Sequence, residues 1–320
     1  MPKNQSVLRA LWERARPLDR ITWFYILAFG MGVAVLGREN PYWMPLATVH
    51  LLLLGAIAAV LWFWNDADSG FSGFIRHLYP PLLYTFFYSE TAVAMHWLFP
   101  TFLDGQIVAL EQRLFGVDPN IWVIPYQTPP LNEWMMLGYF SYYLLVPILA
   151  LTLYFKKRLT ALAGFLTAST IAFVLSYIGF VVYPVEGPRY FLAEFFERPL
   201  EGFLFVPLVR LVIDAGAVHG GCMPSSHVAV AWVVLIWAWR TERTLGKILT
   251  PFVLTLFVST VWGRFHYVTD VVVGWFVGTA ALWLAERMRA KAEESTWIKG
   301  IDARVRLKAV PRGAGQLDQA

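Results

Sequence analysis

Residues 45–64 read PLATVHLLLLGAIAAVLWFW, a stretch without a single acidic, lysine or arginine side chain. A helix needs roughly 20 residues to cross a hydrocarbon core of about 30 Å, so this stretch is long enough to span a bilayer. Outward from it, comparable apolar runs occupy about 21–37, 78–99, 134–155, 160–183, 223–239, 248–262 and 266–285. Together they predict an all-α fold, a polytopic membrane helix bundle of about eight transmembrane helices. The runs at 223–239 and 248–262 are short for a full span. Their ends are therefore expected inside the headgroup layer, or the bilayer is locally thin.

Composition agrees with membrane insertion. The 320 residues are 58% hydrophobic and 17% aromatic, and only 15% charged, whereas a soluble domain is about 25% charged. Cytoplasmic loops collect Lys and Arg. With the N-terminus inside, that side gathers Lys3, Arg9, Arg14, Arg16 and Arg20, then Arg76, Lys156–Arg158, Arg240, Arg243, Lys247 and the basic tail. The other side keeps Arg38, Arg113, Arg189, Arg198, Arg210 and Arg264. An even number of spans returns the C-terminus to the cytoplasm. Domain organisation follows: a cytoplasmic basic N-terminus (1–20), a membrane catalytic domain (21–285), and a cytoplasmic basic tail (286–320) that is partly disordered. Basic residues spread over membrane-flanking loops, with no nucleic-acid motif beside them, give no reason to expect a nucleic-acid partner. The first run reads as a retained helix, since no small-x-small cleavage site precedes Arg38. With one cysteine, Cys222, no intramolecular disulfide can form.

Two non-cytoplasmic loops are long. In 100–133, Leu103, Ile107, Leu110 and Leu114 recur at helical spacing, with Asp104, Gln106, Glu111 and Arg113 between them. This pattern predicts an amphipathic helix on the membrane surface with its carboxylates in water. In 184–222, the apolar segment Phe203–Ile213 is expected to pack on or dip into the membrane.

The chemistry concentrates in three patches that this topology puts on one side: Glu186-Gly187-Pro188-Arg189-Tyr190, Met223-Pro224-Ser225-Ser226-His227, and Gly263-Arg264-Phe265-His266-Tyr267-Val268-Thr269-Asp270. His266 and Asp270, four apart at a helix start, share a face. The carboxylate can hold one ring nitrogen and leave the other as a nucleophile. Pro224–His227 reads as a capped helix start, where Ser225, Ser226 and free backbone N–H groups suit a phosphate. Arg189 and Arg264 offer guanidinium forks for non-bridging oxygens. Glu90 sits within an apolar run, where an ionised acid is costly, so it either pairs with a polar neighbour or lines a cavity and is a candidate for the substrate pocket; Tyr190 and Tyr267 are further pocket candidates. His50, His96 and Cys222 read as packing residues or bystanders, and Gly274 and Gly278 as a helix-packing face.

At these residues the sequence resembles the phosphatidic acid phosphatase type 2 superfamily, and within it the inositol phosphorylceramide synthase-like branch. The resemblance covers roughly 134–285. It implies a six-helix core, a phosphohistidine on His266, a general acid at His227, Asp270 as orienter, and no metal or other cofactor. Thr260 stands where an arginine is usual, Val182 where a lysine is usual, and Pro-Arg-Tyr replaces Arg-Pro. Gly-Pro-x-Tyr at 187–190 and x-His-Tyr-x-x-Asp at 265–270 look more like the synthase branch, so transfer of a phospho-headgroup to an alcohol competes with hydrolysis. The implied partners are a membrane lipid substrate and, for transfer, a second alcohol or lipid acceptor. The rival reading from another class is a lipid transporter or scramblase, which needs no nucleophile.

Overall fold

The computed structural model describes residues 7–64 and 70–293. Among these residues the chain forms thirteen α-helices, two 3-10 turns and no strand. In chain order the helices are α1 (Val7–Arg14), α2 (Pro17–Leu36), α3 (Trp43–Phe63), α4 (Gly70–Ala94), α5 (Asp104–Phe115), α6 (Pro119–Trp122), α7 (Pro129–Phe155), α8 (Leu159–Val182), α9 (Pro188–Phe191), α10 (Phe205–Gly216), α11 (Ser226–Thr241), α12 (Arg243–Trp262) and α13 (Val268–Glu293).

Each of the eight apolar runs folds as a helix. Six of them, α2, α3, α7, α8, α12 and α13, are long and apolar enough to cross a membrane by length and composition, the signature of a multi-pass membrane protein. The other two differ for visible reasons. Helix α4 carries Arg76, His77 and Glu90. Helix α11 has 16 residues, a rise of roughly 24 Å.

Helix α11 is the hub, packed against α7, α8, α12 and α13. Its sequence is apolar all round, which suits a helix enclosed by others, and Val228 through Ala231, Val233 and Val234 are fully buried. Close approach by α13 is possible because Gly274 and Gly278 face the Ser225 and Ala229 carbonyls, where any Cβ would overlap the oxygen. This is the packing face expected from the glycine pair.

Helices α2 and α3 pair with each other, and α2 leans on α4 and α8. The N-terminal segment departs from its expected exposure: α2 begins at Pro17, and Arg16 and Asp19 are buried. Asp19 accepts hydrogen bonds from Arg16, Arg76 and Tyr79, so a buried ion cluster ties α2 to α4. At the other end, α13 continues past 285 to Glu293, and the expected tail beyond that lies outside the described residues.

The amphipathic helix predicted in 100–133 is α5, but its polar face is turned the other way. Asp104 and Glu111 are fully buried, whereas Leu110 and Leu114 are exposed. The two carboxylates lie two turns apart on one face and accept from backbone N–H donors, which take the place of water at Asp104 and at one oxygen of Glu111. The apolar segment of the 184–222 loop forms α10, laid along α7. Its N-terminus is fixed by Glu133, whose carboxylate accepts from the N–H groups of Leu204 (3.0 Å), Phe205 (2.8 Å) and Val206 (3.2 Å). A carboxylate at a helix N-terminus satisfies orphan donors and opposes the helix dipole.

Candidate active site

One end of the bundle gathers the start of α11, the turn between α12 and α13, and the segment following α8. Ser225 is buried and caps α11, accepting from Val228 N, while its own N–H donates to the Asp270 carbonyl (3.1 Å). The turn after α12 is closed by Thr260, whose carbonyl accepts from both Phe265 N (2.9 Å) and His266 N (3.0 Å). Asn120 pins it from outside, donating to the Val261 and His266 carbonyls.

These constraints bring His227, His266 and Asp270 together. His266 Nδ1 lies 3.4 Å from Asp270 Oδ2, and His266 Nε2 lies 3.4 Å from His227 Nδ1. Both separations are long for hydrogen bonds, the looseness that substrate-free sites often have. The remaining nitrogen of His227, Nε2, meets the Tyr139 hydroxyl at 3.1 Å. Tyr142 packs on the same imidazole, with ring centroids 4.2 Å apart.

Cys222 proves to be a contact of this centre. Its thiol donates to Asp270 Oδ2 (2.9 Å) and sits 3.3 Å from His266 Nδ1. Burial pushes that thiol well up, and the Asp270 charge adds to the effect. Behind it, Asp104 accepts from Glu186 N (2.8 Å), Gly187 N (2.8 Å) and the Tyr267 hydroxyl (2.9 Å). Glu111 accepts from Thr269 N (2.6 Å) and its hydroxyl (2.8 Å), capping α13. Burial raises both carboxylates above their ordinary range, and these hydrogen bonds only partly pull them back. Tyr267 is held up by burial and then by Asp104. Two residues expected in water thus brace the turn that carries His266.

Two cavities lie at this end of the bundle, one reaching the turn before His266 and the other the His227 imidazole. One, of about 270 Å³, is lined by Arg189, Arg210, Arg264 and Asp214 with apolar neighbours including Ile213 and Phe265. Arg189 pairs with Asp214 at 3.2 Å. Arg264 donates to Gln127 Oε1 and the Arg198 carbonyl, and burial lowers its affinity for the proton. The other cavity, of about 360 Å³, has Ser226 and His227 on its wall beside Tyr84, Tyr88, Tyr139 and Tyr143. It carries no aspartate, glutamate, lysine or arginine on its wall. Ile213 of α10 lines both.

Three pocket candidates are placed elsewhere. Tyr190 is on the outer surface, its ring against His219. Tyr267 is fully buried as the strut to Asp104. Glu90 sits 3.1 Å from His50 in a buried pair between α3 and α4. None of the three lines either cavity. The sequence reading passed over Tyr139, Tyr142, Cys222 and Arg210. A signal for the tyrosines was present in Tyr139, Tyr142 and Tyr143, whose helical spacing puts polar aromatics on one face.

Residues 105–284 match the PAP2 superfamily. A segment of the chain is also similar to a PA-phosphatase related-family protein of Dictyostelium discoideum, 27% identical over 94 residues that cover 28% of this chain and 17% of that protein. The chain therefore spans only a small part of that relative's length. No solved structure matches. The superfamily match takes in more than half of the chain and contains all three patches: the chain belongs to the PAP2 superfamily.

Proposed function

We propose that the protein is a membrane lipid phosphatase or phosphotransferase that works through a phosphohistidine on His266. The observation that carries this reading is the line Asp270–His266–His227, with one imidazole edge on the carboxylate and the other on the second imidazole. Asp270 fixes Nδ1 of His266 and leaves Nε2 to attack phosphorus. His227 protonates the departing alkoxide. Water or an alcohol, deprotonated by the same His227, then takes the phosphoryl group from His266, and the imidazole returns to its starting state. Reacting atoms need about 3–3.5 Å between them, and a proton donor needs its own hydrogen bond to the leaving oxygen. Both do not fit into 3.4 Å, so the two rings separate when a phosphate enters. Charge stabilisation supplies much of the acceleration in such transfers, a role suited to Arg189, Arg264 and the N–H groups at the start of α11, beside Ser225 and Ser226.

The neutral, tyrosine-walled cavity behind His227 favours transfer to an alcohol over simple hydrolysis. It offers aromatic faces and hydroxyls to an uncharged acceptor or leaving group, while the arginine cavity suits the phospho-headgroup, of which a phosphoinositol-type group is one example. With the basic clusters on the cytoplasmic side, the site opens on the periplasmic, extracellular or lumenal face and receives its lipid from that leaflet.

The test is phosphate release, and transfer of a labelled headgroup with inositol present or absent, from lipid phosphates in detergent. Wild type should form an acid-labile phosphoprotein that His266→Ala cannot form. Equal turnover by the two proteins would remove the enzyme reading and leave the transporter or scramblase.

A further inference from the structure

We propose that Cys222, His266 and Asp270 form a binding site for a zinc-type divalent cation, and that filling it switches the centre off. The inhibitory half rests on the function proposed above; the binding half does not.

Three donors of different chemistry meet here: the Cys222 sulfur, His266 Nδ1 and Asp270 Oδ2. They are 3.3 Å (S to N), 2.9 Å (S to O) and 3.4 Å (N to O) apart. Zinc binds sulfur at about 2.3 Å and nitrogen or oxygen at about 2.0–2.2 Å in a tetrahedron, which sets donors roughly 3.3–3.6 Å apart. The triangle already has nearly that size. Only the sulfur–oxygen edge is short, because a proton now bridges it.

A second observation points to a cation. Asp104, Glu111, Asp118 and Asp270 are all buried around this point, and none forms an ion pair with lysine or arginine among the described residues. Asp270 Oδ1, Glu111 Oε2 and Asp118 Oδ2 are buried without a hydrogen-bond partner. Buried charge without a partner is costly, and a divalent ion would relieve that cost. Thiolate, imidazole and carboxylate together select zinc or cadmium over magnesium or calcium, which prefer oxygen donors throughout.

Binding exchanges the Cys222 proton for the metal, so the proton leaves to solvent and a metal–sulfur bond replaces the thiol–carboxylate hydrogen bond. The same ion takes the carboxylate that orients His266 and a lone pair on Nδ1, so the proton that Nδ1 holds toward Asp270 moves to Nε2. Nε2 is then an N–H with no lone pair to give to phosphorus.

Cys222 is the only cysteine in the chain, so the ultraviolet charge-transfer band of a cadmium–thiolate bond reports this residue alone. Metal-stripped full-length protein in detergent should develop that band saturably, at one cadmium per chain. Cys222→Ser and Cys222→Ala should abolish it, and Asp270→Asn should weaken binding at least tenfold. No band in wild type, or equal affinity after Asp270→Asn in a protein with wild-type thermal unfolding, would overturn the site. Zinc should also stop phosphate release, reversibly on chelation. Cadmium binding with undiminished turnover under zinc would keep the site and overturn its inhibitory role. A protein without turnover in any condition that still gives the band would point instead to failure of the phosphatase reading.

Discussion

Asp104→Ala tests whether α5 braces the turn that carries His266. Asp104 is fully buried and serves three donors, Glu186 N, Gly187 N and Tyr267 OH, at 2.8, 2.8 and 2.9 Å. Each buried donor left without a partner costs about 1–3 kcal/mol. Relief of the buried charge offsets part of the total, which leaves a net loss of about 3–5 kcal/mol. Asp104→Asn keeps one acceptor oxygen and should lose about 1–2 kcal/mol. The assay is unfolding followed by tryptophan fluorescence in detergent, alongside phosphate release at a temperature where all variants are folded. Stability should rank wild type above Asn above Ala. Activity should fall in both variants, because Gly187 precedes Arg189 and Tyr267 follows His266. If Asp104→Ala unfolds with wild-type protein, the carboxylate holds nothing and the bracing argument is wrong.

Tyr139→Phe removes the hydroxyl 3.1 Å from His227 Nε2. A loss of about 0.5–1.5 kcal/mol corresponds to up to tenfold in kcat, with a shifted pH profile as the sign that the imidazole's proton is involved. Acidification should stabilise the α5 region. Asp104 and Glu111 have folded-state values raised above the ordinary 3.8 and 4.5, so the native state holds their protons more tightly. Stability is gained as pH falls through those raised values and is complete below the ordinary ones; Asp104→Asn with Glu111→Gln should flatten the slope in pH-dependent unfolding. Glu242→Ala, which removes the partner of Lys156 and Arg158 at the opposite end, should cost under about 1 kcal/mol and leave turnover unchanged.

The spans were legible because hydropathy is a local property: each run needs only its own residues to declare a helix. The three patches were legible for a similar reason, since His266 and Asp270 lie one turn apart and Pro224–His227 is a helix start written in four residues. What the sequence could not show is which partner a lone carboxylate finds. Asp104 is satisfied by N–H groups 82 and 83 positions away, and Glu111 by a residue 158 away. Periodicity predicted the α5 helix and its stripe but not its facing, because charge beside apolar residues reads as a wet face unless the folded donors are known. Glu90 had two readings, a polar neighbour or a cavity wall, and the sequence could not choose between them; the structure sets a histidine of the neighbouring helix 3.1 Å away.

Arg264 ties the backbone to the proposed chemistry. It adopts φ +66°, the left-handed region that glycine enters freely and other residues enter at a cost of about 1–2 kcal/mol. The turn demands this geometry, because the carbonyl of Thr260 must accept two N–H groups, those of Phe265 and His266, as α12 ends. Glycine at 264 would close the turn with less strain. An arginine there sends its guanidinium into the cavity that also holds Arg189 and Arg210. Strained backbone gathers where function over-determines it. The arginine usual six residues before the histidine is Thr260 here, within α12, whereas position 264 lies outside the helix in the turn that carries His266. A cation fixed to that turn stands two residues from His266, a register that the strained backbone at 264 holds.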